Sequence, residues 1–154
     1  MKLYHGTIHD FDVPNPGVGH EGTDFGIGFY VTESEKMADD WYAGEPNKHV
    51  YVYDVTLKNL DSGTLNILRF QVADVEWARF VYNNRRLKAK PASYDLIIGP
   101  LADNGLNKWF DRIDRKEISW EELAREISFT RYKSLQYCFK TQDSVKLLEY
   151  ETRK

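Results

Sequence analysis

Two stretches near the amino terminus decide the fold: Met1-Lys-Leu-Tyr-His-Gly-Thr7 and Phe25-Gly-Ile-Gly-Phe-Tyr-Val-Thr32. Each reads as a short apolar strand joined to small residues. The first carries an imidazole followed by a Gly-Thr step, and the second carries two glycines before an aromatic ring. Glycine lets one backbone approach another backbone or a ligand closely. The two stretches therefore predict neighbouring strands beside a split-sheet pocket for a flat, polar, ribose-bearing molecule.

Composition limits the class of protein. The chain has 154 residues, of which 42% are hydrophobic and 29% charged, and this is typical of one globular domain. It contains no apolar run of the ~20 residues that a membrane span requires, and its start lacks the apolar core of a signal peptide. We therefore expect a cytoplasmic protein that does not bind membranes. The single cysteine, Cys138, excludes an internal disulfide and a cysteine-rich metal site.

Charge argues against a domain built mainly to grip nucleic acid, because the formal net charge is −3 and such domains are usually basic. A local basic stretch at Arg85, Arg86, Lys88 and Lys90 is interpreted as a solvated loop. The histidines at 9, 20 and 49 have no metal-ligand spacing, so no metal is expected. Aromatic residues make up 14% of the chain, and the many tyrosines and tryptophans suit a partly wet groove as well as a core.

Periodicity and capping signals predict a mixture of strands and helices. Strands are predicted at residues 2–5, 29–32, 49–57, 94–98, 135–141 and 147–151, and helices at 33–43, 72–84 and 120–127, with a helical turn at 142–146. Thr32 and Ser119 are predicted N-caps of capping boxes. Residues 8–24 are predicted to form a long irregular loop, of a length that is often functional. Mixed strands with segregated helices indicate an α+β fold.

The two amino-terminal motifs resemble the ADP-ribosyltransferase superfamily, in particular its poly(ADP-ribose) polymerase and diphtheria-toxin-like branch. Members of that branch carry a His-Gly-Ser/Thr strand and a Gly-x-Gly-(Ile/Phe)-Tyr strand, followed by a helix. A second aromatic residue lies eleven positions beyond the tyrosine. Here the tyrosine is Tyr30 and the second aromatic position is Trp41.

The third motif of that superfamily is a glutamate that opens a late strand. The matching segment here is Gln136-Tyr137-Cys138-Phe139-Lys140-Thr141, so Gln136 takes the place of the glutamate. The whole chain is also similar to an uncharacterised bacterial domain family related to these transferases. The similar segments are Tyr94-Asp95-Leu-Ile-Ile-Gly99-Pro100-Leu-Ala102-Asp103 and the late Gln-Tyr-x-Phe-x-Thr.

The resemblance implies a single domain over residues 1–154, with a split antiparallel sheet of ADP-ribosyltransferase type and flanking helices. It implies NAD as the substrate, bound in the cleft between the halves of the sheet, and no metal. His5 would hydrogen-bond the adenine-side ribose, the Gly6 backbone would pair with the nicotinamide amide, and Thr7 would support the same end. Tyr30 and Trp41 would sandwich the nicotinamide ring, with Gly28 in the same binding site.

Gln136 departs from the superfamily pattern because it carries no negative charge. It can hydrogen-bond a ribose hydroxyl, but a carboxylate is the natural stabiliser of an oxocarbenium-like cation. Charge-assisted hydrogen bonds are also roughly twice as strong as neutral ones. Within the superfamily, loss of this glutamate goes with single transfer or inactivity. Asp103, in the turn after a buried strand, is the candidate for the missing charge, and the alternative is a turn-capping aspartate.

The resemblance thus predicts an NAD-dependent mono-ADP-ribosyltransferase with His5, Tyr30 and Gln136 as catalytic residues. Its acceptor would be a macromolecule, and a toxin or effector role with a small neutralising protein is plausible for such enzymes. Three alternatives remain. NAD glycohydrolysis uses the same scaffold, and so does RNA 2′-phosphotransfer, which would need converging arginines drawn from Arg69, Arg85 and Arg86. A catalytically weak NAD or ADP-ribose binding module is the third.

Overall fold

Seven strands form one sheet at the centre of the protein, in a computed structural model that describes residues 1–88, 93–103, 105–128 and 134–154. The strand order across the sheet is β4-β5-β6-β2-β1-β3-β7. The strands are β1 Lys2–Thr7, β2 Phe29–Thr32, β3 His49–Asp54, β4 Ile67–Arg69, β5 Leu96–Pro100, β6 Leu135–Phe139 and β7 Glu149–Arg153.

Six α-helices, counted over the described residues, pack around this sheet. They are α1 Glu35–Asp40, α2 Leu57–Leu60, α3 Val75–Arg85, α4 Leu106–Asp114, α5 Trp120–Ile127 and α6 Gln142–Val145. A 3₁₀ turn at Pro16–Val18 lies in the loop between β1 and β2. None of the helices in these ranges has the length and apolar character needed to cross a membrane.

The sheet is mostly antiparallel, and only β4 and β5 run parallel. The α+β class expected from the sequence is therefore confirmed. The pairing between β1 and β2 is short. These strands pair at one position, Tyr4 with Thr32, whereas β1 pairs with β3 along its whole length. The two strands predicted from the opening motifs are thus neighbours in one continuous sheet.

Side-chain alternation along the strands builds a core on each face of the sheet. On one face, Ile97 and Cys138 pack with Trp77 of α3 and Phe110 of α4. On the other face, residues one position along the same strands, among them Leu96 and Phe139, pack with an aromatic and aliphatic group. Both faces of the central strands are buried, so these strands read as continuous apolar runs rather than as alternating ones.

Local capping signals predicted one helix start correctly and misplaced another. Ser119 caps α5, and its hydroxyl accepts a hydrogen bond from the Glu122 amide at 3.1 Å. The prediction of Thr32 as the N-cap of α1 is wrong, because Ser34 takes that role by accepting from the Met37 amide at 3.1 Å. Thr32 is instead the last residue of β2, and its side chain accepts from the Ser34 amide. The helix also ends at Asp40, three residues earlier than expected.

Three elements were not predicted, namely α2, β4 and α4. The apolar residues of α4 at Leu106, Phe110 and Ile113 follow helical spacing and are buried, so its signal was present in the sequence. Strand β4 has three residues and takes its place by parallel pairing with β5. The strand predicted at 49–57 ends at Asp54, and the last strand starts at Glu149 rather than at 147.

Gly6 lets α1 lie close to β1. A Cβ atom built on Gly6 would lie 2.0 Å from the backbone oxygen of Ala38 and 3.2 Å from the Cβ of Trp41. Real atoms do not approach so closely, and the nearer obstacle is backbone that cannot turn aside. The glycine of the first motif therefore sets the distance between this helix and the sheet.

We expect Gly6→Ala to lower the free energy of unfolding by about 2 kcal/mol, because the helix must move away from the strand. Gly17→Ala is the control, since its added Cβ would meet only a side-chain atom, Asn15 Oδ1, at 3.3 Å. The control should change stability by about 0.5 kcal/mol or less. Urea unfolding followed by tryptophan fluorescence measures both. Equal effects of the two substitutions would contradict this account of Gly6.

Candidate functional site

A cleft of about 420 Å³ opens beside β2 and the carboxyl end of α1. Its walls come from distant parts of the chain: the loop before β2, the end of α3, the segment after β5 and the start of β6. The lining residues are Thr23, Asp24, Tyr30, Met37, Asp40, Trp41, Tyr42, Arg85, Leu101, Ala102 and Gln136. Three residues proposed from the sequence, Tyr30, Trp41 and Gln136, therefore face one cleft.

Two aromatic residues form the rim of the cleft at the end of α1. Trp41 is the C-cap of the helix, and its amide donates to the Met37 carbonyl at 3.1 Å. Its side chain is 44% exposed, so an indole face is available to a ligand. Tyr42 follows with a φ of 60°, in the left-handed region that a bulky residue rarely adopts. Both residues line the cleft.

Tyr30 contributes its ring to the cleft and uses its hydroxyl to hold the preceding loop. The hydroxyl donates to the Gly26 carbonyl at 2.6 Å and accepts from the Phe25 amide at 3.0 Å. Thr23 Oγ1 lies 2.9 Å from the same oxygen. Burial raises the pKa of the Tyr30 phenol well above its usual value, so the phenol stays protonated. It acts here as an anchor for residues 23–26.

Asp24 places a carboxylate on the wall of the cleft, although the residue is only 3% exposed. Its Oδ1 accepts from the Arg85 guanidinium. Its Oδ2 accepts from the Ala102 amide at 3.0 Å and from Gln136 Nε2 at 2.8 Å. All of these partners are donors, which matches an ionised carboxylate. We call Asp24, Arg85, Ala102 and Gln136 the Asp24 cluster.

The segment that carries Asp24 is held from several sides. Lys140 Nζ donates to the carbonyls of Phe25 and Ile27, at 2.7 and 2.8 Å. Burial lowers the pKa of this lysine. Asn84 donates to the Asp24 carbonyl at 3.3 Å. Gly26 lies between these groups with a φ of +83°, a conformation that only glycine adopts without strain.

His5 lies beside β2 but does not line the cleft. Its Nδ1 is 2.6 Å from the backbone oxygen of Tyr30, and its ring lies 4.2 Å from that of Phe29, centroid to centroid. Phe29 belongs to the core on one face of the sheet, whereas the Tyr30 ring packs against the core on the other. The imidazole and the phenol thus lie on opposite faces of the sheet, because successive residues of a strand alternate.

The other proposed binding residues also lie outside the lining of the cleft. Gly6 contacts α1, and Thr7 Oγ1 accepts from the His9 amide at 3.1 Å. A Cβ on Gly28 would meet Cys138 Sγ at 2.3 Å, so this glycine is needed for packing against β6. Asp103, the expected source of negative charge, does not line the cleft. Its backbone amide donates to the Ile127 carbonyl at 2.8 Å.

Sequence reasoning missed Asp24 as a functional candidate. The carboxylate that contacts Gln136 comes from the long loop before β2 and not from the turn after β5. The length of that loop indicated a functional role, but the sequence did not indicate which of its residues carries it. Arg85, interpreted from the sequence as part of a solvated basic loop, instead pairs with Asp24. Its neighbour Arg86 pairs with Asp111 and Asp114, so these two arginines are not free loop charges.

Two further residues from the sequence analysis are Lys90 and Cys138. Lys90 of the basic stretch lies outside the described residues. Cys138 is fully buried in β6, and burial raises the pKa of its thiol to about 11, so the thiol is held in its protonated, unreactive form. Within the described ranges no three His, Cys, Asp or Glu side chains are grouped so that they could hold a metal ion.

Comparison with known proteins places the chain in a family. Residues 1–150 match the model of a family described as "Protein of unknown function (DUF3990)", and the chain belongs to that family. No curated protein matches significantly. The same holds for the solved structures.

The environment of His5 predicts a pH dependence of stability. Nδ1 must donate to the Tyr30 carbonyl, so the neutral ring has its proton on that nitrogen. Burial lowers the pKa of His5 from 6.5 to about 4. The unfolded chain therefore binds a proton below pH 6.5 that the folded protein does not bind until about pH 4. Stability contributed by neutral His5 is present above pH 6.5 and is lost on acidification through this window.

We expect the wild type to lose about 2 kcal/mol more unfolding free energy than His5→Asn between about pH 7 and pH 4, since each unit of pKa shift is worth about 1.4 kcal/mol and partial exposure reduces the total. Asparagine keeps a donor for the Tyr30 carbonyl and does not titrate. Denaturant unfolding at several pH values gives both curves. A constant difference between the two proteins across this range would contradict the assignment.

Proposed function

We propose that this member of the DUF3990 family is an NAD-dependent mono-ADP-ribosyltransferase, which cleaves the bond between nicotinamide and ribose and transfers ADP-ribose to a macromolecular acceptor. The observation that carries the proposal is the convergence of Tyr30, Trp41 and Gln136 on one cleft. Tyr30 and Trp41 belong to the second motif of the resemblance and Gln136 to the third, whereas His5 of the first motif lies outside the cleft lining. Their meeting supports the part of the site that the resemblance to the ADP-ribosyltransferases assigns to the nicotinamide end and the reacting ribose.

The cleft suits a dinucleotide in size and chemistry. Its volume of about 420 Å³ lies in the range of small-molecule sites, so it can enclose one end of NAD. The partly exposed Trp41 ring offers a face on which the nicotinamide ring can stack. The Arg85 guanidinium, which pairs with Asp24 through Nε, also lines the cleft and is the cationic group proposed to face the phosphates. The remaining lining is a mixture of polar and apolar groups, as such sites commonly have.

The proposed fold type is the split sheet of the ADP-ribosyltransferases. The single paired position between β1 and β2 supports it, because the ladder between these neighbouring strands is limited to Tyr4 and Thr32. Within this proposal Gly6, which lies outside the cleft lining, sets the distance between β1 and α1, and His5 is a positioning residue. It acts on the ligand through the Tyr30 carbonyl that it binds, since its imidazole lies on the opposite face from the cleft.

The reaction itself needs little covalent chemistry from the protein. The bond from C1′ of the ribose to the nicotinamide nitrogen breaks, and its electron pair leaves with nicotinamide. An acceptor lone pair then forms the new bond at C1′, and the acceptor's proton passes to solvent. The protein orients the dinucleotide, excludes water and stabilises the positive charge that develops on the ribose. A toxin or effector role, restrained by a small partner protein in the cytoplasm, belongs to the same proposal.

The proposal predicts that purified protein releases nicotinamide from NAD and leaves labelled ADP-ribose on a macromolecule in a cell extract. Trp41→Ala should raise the KM for NAD roughly tenfold, because a stacking face and its buried area are lost. Trp109→Ala, in α4 and outside the cleft, is the matched control and should leave KM unchanged.

The readouts separate the rival activities. Nicotinamide release without label on a macromolecule would assign the protein as an NAD glycohydrolase. Binding of NAD without release would assign it as a binding module. If isothermal titration detects no binding of NAD at millimolar concentration, the proposal is wrong.

A further inference from the structure

Asp24 is a buried charged residue that lies on the wall of the cleft. It comes from the loop before β2, is 3% exposed and lines the cleft. Burying an ion pair is weak evidence for stability, because desolvation offsets much of the attraction. The chain nevertheless surrounds this carboxylate with an arginine, a backbone amide and a side-chain amide. Such an arrangement holds a negative charge rigidly at one point of the cleft wall.

Gln136 is the immediate neighbour of that charge. Its amide nitrogen lies 2.8 Å from Asp24 Oδ2 and 3.4 Å from the Pro100 carbonyl. A glutamate at this position would place a second carboxylate against the first, and like charges at that distance cannot both ionise readily. Glutamine suits this position because its neutral amide can donate a hydrogen bond to the Asp24 carboxylate. The two positions together carry one negative charge, and it lies on residue 24.

We propose that Asp24 is the catalytic carboxylate of this site, and that Gln136 binds and orients it. This inference rests on the proposed function. Asp24 stabilises the positive charge that develops at C1′ and the ring oxygen as the bond to nicotinamide breaks. It forms no covalent bond, and it accepts no proton in that step. Arg85 holds the carboxylate through Oδ1, and Gln136 and the Ala102 amide hold it through Oδ2, so its position on the cleft wall is fixed.

The position of the segment supports a catalytic rather than an incidental role. The backbone at and after Asp24 is fixed by Asn84, Lys140 and Tyr30, which donate to the carbonyls of residues 24, 25 and 26. A preorganised charge stabilises a transition state without rearrangement at the moment of reaction. Asp103, the alternative carboxylate suggested by the sequence, lies outside the cleft lining.

The test is a charge swap between positions 24 and 136. Asp24→Asn should lower kcat for nicotinamide release by about 100-fold, the typical cost of losing a preorganised electrostatic group, and should change the affinity for NAD by less than about threefold. Gln136→Glu should also lower kcat, because two carboxylates then compete for one site. The double variant Asp24→Asn/Gln136→Glu restores a single charge and should recover kcat to within about tenfold of wild type.

Asp111→Asn is the matched control, since this aspartate pairs with Arg86 away from the cleft and its loss should leave kcat unchanged. Thermal melts establish that each variant is folded. Full activity of folded Asp24→Asn overturns the inference, and so does a folded double variant that remains as slow as Asp24→Asn. A wild type that releases no nicotinamide overturns the proposed function first and the inference with it. An active wild type whose swap fails overturns the inference alone.

Discussion

The hydrogen bonds accepted by the Asp24 carboxylate hold the walls of the cleft together. They join the loop before β2 to the end of α3 through Arg85, to the segment after β5 through Ala102, and to β6 through Gln136. Strands β5 and β6 already meet through strand pairing, and α3 packs on their shared core, so the carboxylate adds the loop before β2 to this assembly. A buried carboxylate needs hydrogen-bond donors around it, because burying the charge without them would raise the free energy of the folded state by several kcal/mol or more.

The loop between β1 and β2 is consequently more ordered than its composition suggests. Loops are usually mobile and exposed, yet this one has a buried aspartate, a buried phenylalanine and a tyrosine hydroxyl that binds its backbone. Lys140 fixes the same segment from β6 at two carbonyls. These hydrogen bonds are confined to residues 23–27, the segment that places Asp24 on the wall of the cleft.

The proposed chemistry and the observed geometry agree at some residues and differ at others. Tyr30, Trp41 and Gln136 line one cleft, whereas His5 points to the opposite face of the sheet. The difference follows from strand alternation, since His5 and the glycine beside it must face opposite ways. Under the proposed function, His5 therefore acts only through its hydrogen bond to the Tyr30 backbone. A site defined by residue types alone would have assigned the imidazole a direct contact with the ligand.

The sequence by itself determined the α+β class, the strand at Phe29–Thr32 and the helix capped by Ser119, because these depend on local periodicity and on hydrogen bonds within a few residues. The resemblance to the ADP-ribosyltransferases, read from the sequence motifs, also selected Tyr30, Trp41 and Gln136, and all three line the cleft. Only the tertiary structure decided which carboxylate stands beside Gln136, which face of the sheet His5 occupies and which arginine reaches the cleft. Those outcomes depend on strand order, register and loop path, and these are set by packing between segments that are remote along the chain.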